Sequence, residues 1–146
     1  MQDPFDLKRF VEAQDGGVYE RALGELQAGR KQGHWIWFVF PQIAGLGSSA
    51  MNRRYAIGSL EEAVAYLEHP ILGARLRDCV DAINALEGRS ARQVFGADDV
   101  KLRSSLTLFH RAEPEEHRFS AALAKYFAGD QDDATLELLA ETFGGS

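Results

Sequence analysis

The chain has 146 residues with a formal net charge of −6, 45% of them hydrophobic and 26% charged. That length can bury one core, and the composition lacks the signature of disorder. The acidity argues against the basic footprint of a phosphate-backbone binder, so no nucleic-acid partner is expected. Its single cysteine, Cys79, rules out an internal disulfide and a cysteine-rich metal site, and fits a cytoplasmic setting. The start, Met1-Gln2-Asp3-Pro4, is acidic where a secretory signal would be basic. The longest apolar run, Trp35 to Phe40, is too short to cross a bilayer, so no membrane partner is expected.

A first helix is predicted from Asp3 to Gln14, with Phe5, Phe10 and Val11 on one face, Asp3 as cap and Pro4 at the first helical position. Asp15-Gly16-Gly17 breaks it. Tyr19, Leu23 and Leu26 define a second helix ending near Gly29. The block His34-Trp35-Ile36-Trp37-Phe38-Val39-Phe40-Pro41 has the local propensity of a strand. No comparable run exists to pair with it, and a lone strand leaves its backbone groups unsatisfied. It is read as a buried helical or extended segment threaded through the core.

Ser59-Leu60-Glu61-Glu62 signals a capping box, followed by Leu60, Val64 and Leu67 and closed by His69-Pro70. From Ile71 to Leu86 a stripe of Leu72, Leu76, Cys79, Val80, Ile83 and Leu86 marks the next helix, ended by Gly88. Ser90 and Gln93 start a short helical turn. Leu102, Leu106 and Phe109 mark a helix begun by Asp98 or Asp99. Pro114-Glu115-Glu116 opens one with Phe119, Leu123, Tyr126 and Phe127 inward. The last, from Asp132, uses Leu136, Leu139 and Phe143. The expectation is a single all-α domain over 1–146, an irregular multihelical array of about seven short helices.

Candidate chemistry falls in two polar blocks. Gly45-Leu46-Gly47-Ser48-Ser49-Ala50 fits G-x-G-x-x-A, with Glu68 near the spacing of a ribose-binding acid. Only helices follow it, so it is read as a flexible turn. Such a turn, followed by Ser48, Ser49, Asn52 and Arg53-Arg54, can present backbone N–H groups and guanidinium forks to an anion. The alternative is that the arginines pair with surface carboxylates.

His34, beside Trp35 and Trp37, can be a general base or a wall for a flat ligand, or else a core-edge histidine bonded to backbone. On a helix Lys101 and Ser105 share a face. Lys101, Arg103 and Ser104 can line a pocket with the Arg53 region, or form an exposed basic face behind a capping Asp98 or Asp99. His69, His110 and His117 show no i, i+4 pairing, so neither a metal nor a cofactor is implied. Glu62 is accounted for by the capping box, and Cys79 reads as core.

The first of these blocks, Gly33 to Gln42 with Gly45-Leu46-Gly47 and Ser49, resembles the hallmark of an uncharacterised bacterial family. The second, Asp99 to Phe109 with Lys101, Ser104, Ser105 and Thr107-Leu108-Phe109, fits the same family. That family is a domain of unknown function whose members often carry the label calpastatin, and the resemblance covers nearly the whole chain. It implies a small multihelical fold and no activity. Calpastatin itself is long and flexible, whereas this composition is that of a packed globule. The order of segments is also similar to that in glycosidases of the NAD- and ADP-ribose-related kind. Their motifs do not match here, so no catalytic residue is carried over, and only the expected ligand shifts toward nucleotides.

The expected function is binding of an anionic or nucleotide-like small molecule, with or without catalysis. The candidate residues are His34, Trp35, Trp37, Gln42, Ser49, Arg53, Lys101, Arg103 and Ser104. The alternative is a protein-interaction or regulatory module without chemistry, which requires a contiguous exposed apolar patch.

Overall fold

Apolar residues at helical spacing become helices almost throughout the computed structural model, which describes residues 3–141. In chain order these are α1 (Lys8–Gln14), α2 (Val18–Gln27), α3 (Ile36–Val39), α4 (Ala50–Tyr55) and α5 (Leu60–Glu68). They continue with α6 (Leu72–Ala85), α7 (Ala91–Phe95), a 3-10 turn (Gly96–Asp98), α8 (Asp99–Ala112), α9 (His117–Phe127) and α10 (Asp133–Leu139). Seven of them have seven residues or more, and no strand forms among the described residues. The architecture is the irregular all-α domain read from the sequence.

The central helix is α8, which packs on α5, α9 and α10, while α6 packs on α2, α5 and α9. From Leu102 to Phe109 only Arg103 escapes full burial. A helix enclosed on all sides belongs at the centre of a bundle. A chain of rings crosses this core: Phe10–Tyr66 at 5.1 Å, Tyr66–Phe109 at 5.4 Å and Phe109–Phe119 at 6.0 Å between centroids. Such pairs add about 0.5–1.5 kcal/mol each beyond the area they bury. Cys79 lies in the same core, where burial and then Asp78 push its thiol up to about 12 against the pull of Arg75, so it is inert.

The aromatic block does thread the core. Trp35, Ile36, Phe38, Val39 and Phe40 are buried around the single turn of α3. The chain then extends, and Ile43 bridges Ile57 in parallel, with Ala44 N–H donating to Ile57 O and Ile57 N–H to Gln42 O, both at 2.8 Å. The strand propensity of the block is overridden: its middle forms the turn of α3, and the one bridge falls after it, at Ile43.

Several helix starts differ from the sequence reading. The carboxylate of Asp3 does accept from Leu7 N–H and Lys8 N–H, at 2.8 and 3.0 Å. Yet Asp6 at φ +52° breaks the first turn, so α1 begins at Lys8 and Pro4 lies in a turn outside it. Ser59 caps α5, but Glu62 reaches back to Gly58 N–H instead of the cap residue, and its other oxygen takes Arg9 at 2.9 Å. Ser90 and Gln93 complete a capping box at α7. Asp98 makes no cap bond at α8, because its carboxylate pairs with Lys31 at 2.9 Å and Lys101 at 3.0 Å. Asp132 caps α10 as read from the sequence. Phe143, placed on that helix by its spacing, lies outside the described residues.

Candidate functional site

A cleft of about 310 Å3 opens between the loop after Gln42 and the first turns of α8 and α10. Its walls carry Gln42, Leu46, Gly47 and Asn52 on one side and Lys101, Ser104 and Asp132 on the other. An inner pocket of about 10 Å3 shares the first four of these and adds Trp37, Ile43 and Tyr55.

Each wall residue is placed by a local cause. The bridge between Ile43 and Ile57 fixes the backbone of Gln42, whose carbonyl accepts from Ile57 N–H. Ser49 caps α4: its hydroxyl accepts from Asn52 N–H at 3.1 Å and from Asn52 Nδ2 at 2.8 Å, which orients that amide. The loop lies so close on Asn52 that a Cβ at Gly47 would sit 2.5 Å from Asn52 Nδ2, so any larger residue there must displace that amide. Lys101 and Ser104 share one face of α8 by their i, i+3 spacing. The Ser104 hydroxyl donates to Val100 O at 3.1 Å. Asp132 accepts from Thr135 N–H and its hydroxyl, with Arg103 Nη2 3.7 Å away.

The electrostatics are mixed. Burial raises the Asp98 carboxyl, but Lys31 and Lys101 outweigh it and hold the group below its ordinary value. Asp98 is therefore an anion that anchors Lys101 at the positive end of α8, using one of three ammonium donors. Gln42 is only 8% exposed, and its side-chain amide has no hydrogen-bond partner among the described residues. The Trp37 indole Nε1 is shielded from solvent and likewise unpartnered. Buried polar groups in folded proteins are nearly always paired, so the orphaned Trp37 Nε1 beside this cavity needs an explanation. The site offers hydrogen-bond donors, one cation and one carboxylate, and no nucleophile–base pair. Among the described residues no group of three or more His, Cys, Asp or Glu gathers to hold a metal.

The structure brings only part of the sequence-derived set together. Gln42, Lys101 and Ser104 share the cleft, Trp37 lines the pocket behind it, and Ser49 supports Asn52. Arg53 does not join them; it is exposed on α4, and its side chain has no bond among the described residues. Arg103 turns into a neighbouring hollow of about 550 Å3, between Asp132 and the ring of Phe127. His34 and Trp35 belong to a separate hollow of about 250 Å3 with Val18, Arg21 and Phe38. His34 is exposed there, and Trp35 Nε1 is committed to Glu25 Oε1 at 2.9 Å. Ser105, expected beside Lys101, is 1% exposed inside the core, because α8 is enclosed on that side as well.

Sequence reasoning missed Asp132 as a wall and Asp98 as the partner of Lys101. The i, i+3 spacing of Asp98 and Lys101 was a usable signal. Asp132 had none, since α10 reaches the cleft by packing on α8, a contact no local pattern shows. The G-x-G-x-x-A run has neither a strand before it nor a βαβ unit after it; Gly45 turns the loop at φ +104°, and Glu68 ends α5.

Residues 4–139 match a family described as "Protein of unknown function (DUF1810)". Among solved structures, a conserved hypothetical protein from Mycobacterium tuberculosis is similar over 94% of this chain and 99% of that one. Its identity is 57% and the TM-score is 0.92. No curated protein matches.

Proposed function

The chain belongs to the DUF1810 family of proteins of unknown function, and from that premise we propose that its cleft binds a small molecule carrying an anionic group. The observation that carries this reading is the gathering of Lys101, Ser104 and the side-chain amide of Gln42, which makes no hydrogen bond among the described residues, on the walls of one cavity. The volume is at the lower end of the range of about 300–1,000 Å3 found for ligand sites. It favours a metabolite-sized anion, or the anionic end of a nucleotide, over a whole dinucleotide. The proposal concerns binding and assigns no reaction.

The interaction-module alternative has less support. The exposed large hydrophobic residues among those described are Ile71 at 42% and Val100 at 57%, and Val100 edges the cleft itself. Two scattered side chains do not make an apolar docking patch. A cytoplasmic setting belongs to the same proposal and rests on the unpaired cysteine. No helix of the described residues is long and apolar enough to cross a membrane.

A thermal-shift screen against orthophosphate, nucleotides, ADP-ribose, sugar phosphates and small carboxylates tests the reading. Ligand at 100 times its Kd stabilises by about 2.7 kcal/mol. The expected result is a shift with at least one anion, retained by Arg53→Ala and lost in Lys101→Ala. No shift across the panel, or one that Lys101→Ala leaves intact, overturns it.

A further inference from the structure

The inner pocket adds a second requirement on the ligand. Its size, about 10 Å3, admits one small group, since roughly 10–15 Å3 is the space of a single water-sized probe. At its wall Trp37 has a solvent-shielded Nε1 without a partner, and the side-chain amide of Gln42, which keeps some solvent contact, makes no hydrogen bond among the described residues. An indole N–H can only donate, and an amide both donates and accepts. What sits between them must therefore present an acceptor oxygen.

No charged side chain lines this pocket; Lys101 and Asp132 stand in the outer cleft that opens from it. Burying a carboxylate against neutral donors costs far more than burying a neutral carbonyl. The inner end thus suits a ketone or carboxamide oxygen, while the ligand's anionic group stays outside with Lys101. Gln42 is common to both compartments and can bond either part of the molecule.

We infer that the inner pocket is a carbonyl subsite, so that the ligand is a short acid with an anionic group at one end and a neutral ketone or carboxamide at the other. This rests on the anion-binding reading of the outer cleft. It makes Trp37 and Gln42 the specificity-determining residues, which select the carbonyl, and Lys101 the residue that takes the charge. A site built to hydrogen-bond one group rejects the analogue lacking it more sharply than a site built on shape alone.

The chain has two tryptophans, so its indole N–H region in an amide-proton NMR spectrum holds two signals, and Trp37→Phe assigns them. Trp35 N–H is already bonded to Glu25 and serves as an internal control. The probes are 4-oxopentanoate and 5-oxohexanoate, each against the acid of the same skeleton with the ketone oxygen replaced by methyl, 4-methylpentanoate and 5-methylhexanoate. Succinamate supplies the carboxamide end.

The expected result is that an oxo acid or succinamate moves the Trp37 signal and leaves that of Trp35 in place. The matched methyl acid binds at least tenfold more weakly, and that preference disappears in Trp37→Phe and in Gln42→Leu. Equal affinity for an oxo acid and its methyl partner overturns the subsite. So does a Trp37 signal unmoved by every probe, as when the pocket only houses a structural water. Either result leaves the anion-binding reading standing wherever an anion still stabilises the wild type and not Lys101→Ala; failure of that screen removes both.

Discussion

Trp35 Nε1 donates to Glu25 Oε1 at 2.9 Å, and the same oxygen accepts from Gln32 N–H at 2.8 Å and Gly33 N–H at 2.9 Å. One carboxylate on α2 thus gathers the entry to the aromatic block, while Lys31 lies over the Trp35 ring at 5.0 Å. Glu25→Ala leaves three donors without their acceptor. Hydrogen bonds to a charged group contribute about 1.5–3 kcal/mol each and do not add fully. A loss of about 3 kcal/mol is expected in urea unfolding.

The same residue sets a pH dependence. Burial raises the Glu25 carboxyl, but the N–H groups of Gly33, Gln32 and Trp35, with Lys31, bring it below its ordinary value. A carboxyl lowered in the folded state stabilises fully above its unfolded value and loses that contribution as pH falls through the folded value. Asp3 and Asp98 are lowered too. Stability therefore falls as pH drops through the ordinary carboxylate range and below, with a shallower slope in Glu25→Ala.

The two tryptophans respond unequally to phenylalanine. Trp35→Phe removes one of the three bonds to Glu25, costing about 2 kcal/mol. Trp37→Phe removes an unpartnered donor, so its lost area is partly offset and the change stays within about 1 kcal/mol. Equal losses in thermal melts would mean that Trp37 Nε1 is satisfied in solution.

Gln42→Leu replaces an amide that makes no hydrogen bond among the described residues with an apolar side chain of similar size. Stability is expected to change by less than about 1 kcal/mol while ligand response disappears, the signature of a residue that serves binding and not folding. A destabilised variant would place Gln42 in the structural network instead.

Gly73 sits in the first turn of α6, where a Cβ would lie 2.1 Å from Leu67 O. That oxygen also accepts from Arg77 Nη1 at 3.0 Å. Gly73→Ala must push α5 and α6 apart, with an expected loss of about 3 kcal/mol or more. Gly88→Ala is the strain control, since its φ is +70° with nothing within 4 Å.

The fold was legible in the sequence because helix spacing is a local property. Leu72, Leu76, Cys79, Val80 and Ile83 recur on one stripe wherever the rest of the chain goes, and all five are buried. The aromatic block had to go inside because few exposed settings tolerate so much apolar surface without a partner. The site was legible only in part. Local spacing put Lys101 and Ser104 on one face of α8, but it did not reveal that α10 encloses that face or that α4 brings Asn52 to it. Arg53 and Arg103 match the chemistry of the site and still miss it, because the direction of a side chain depends on how its helix is seated. That seating comes from packing between segments distant in sequence, where no local pattern reaches.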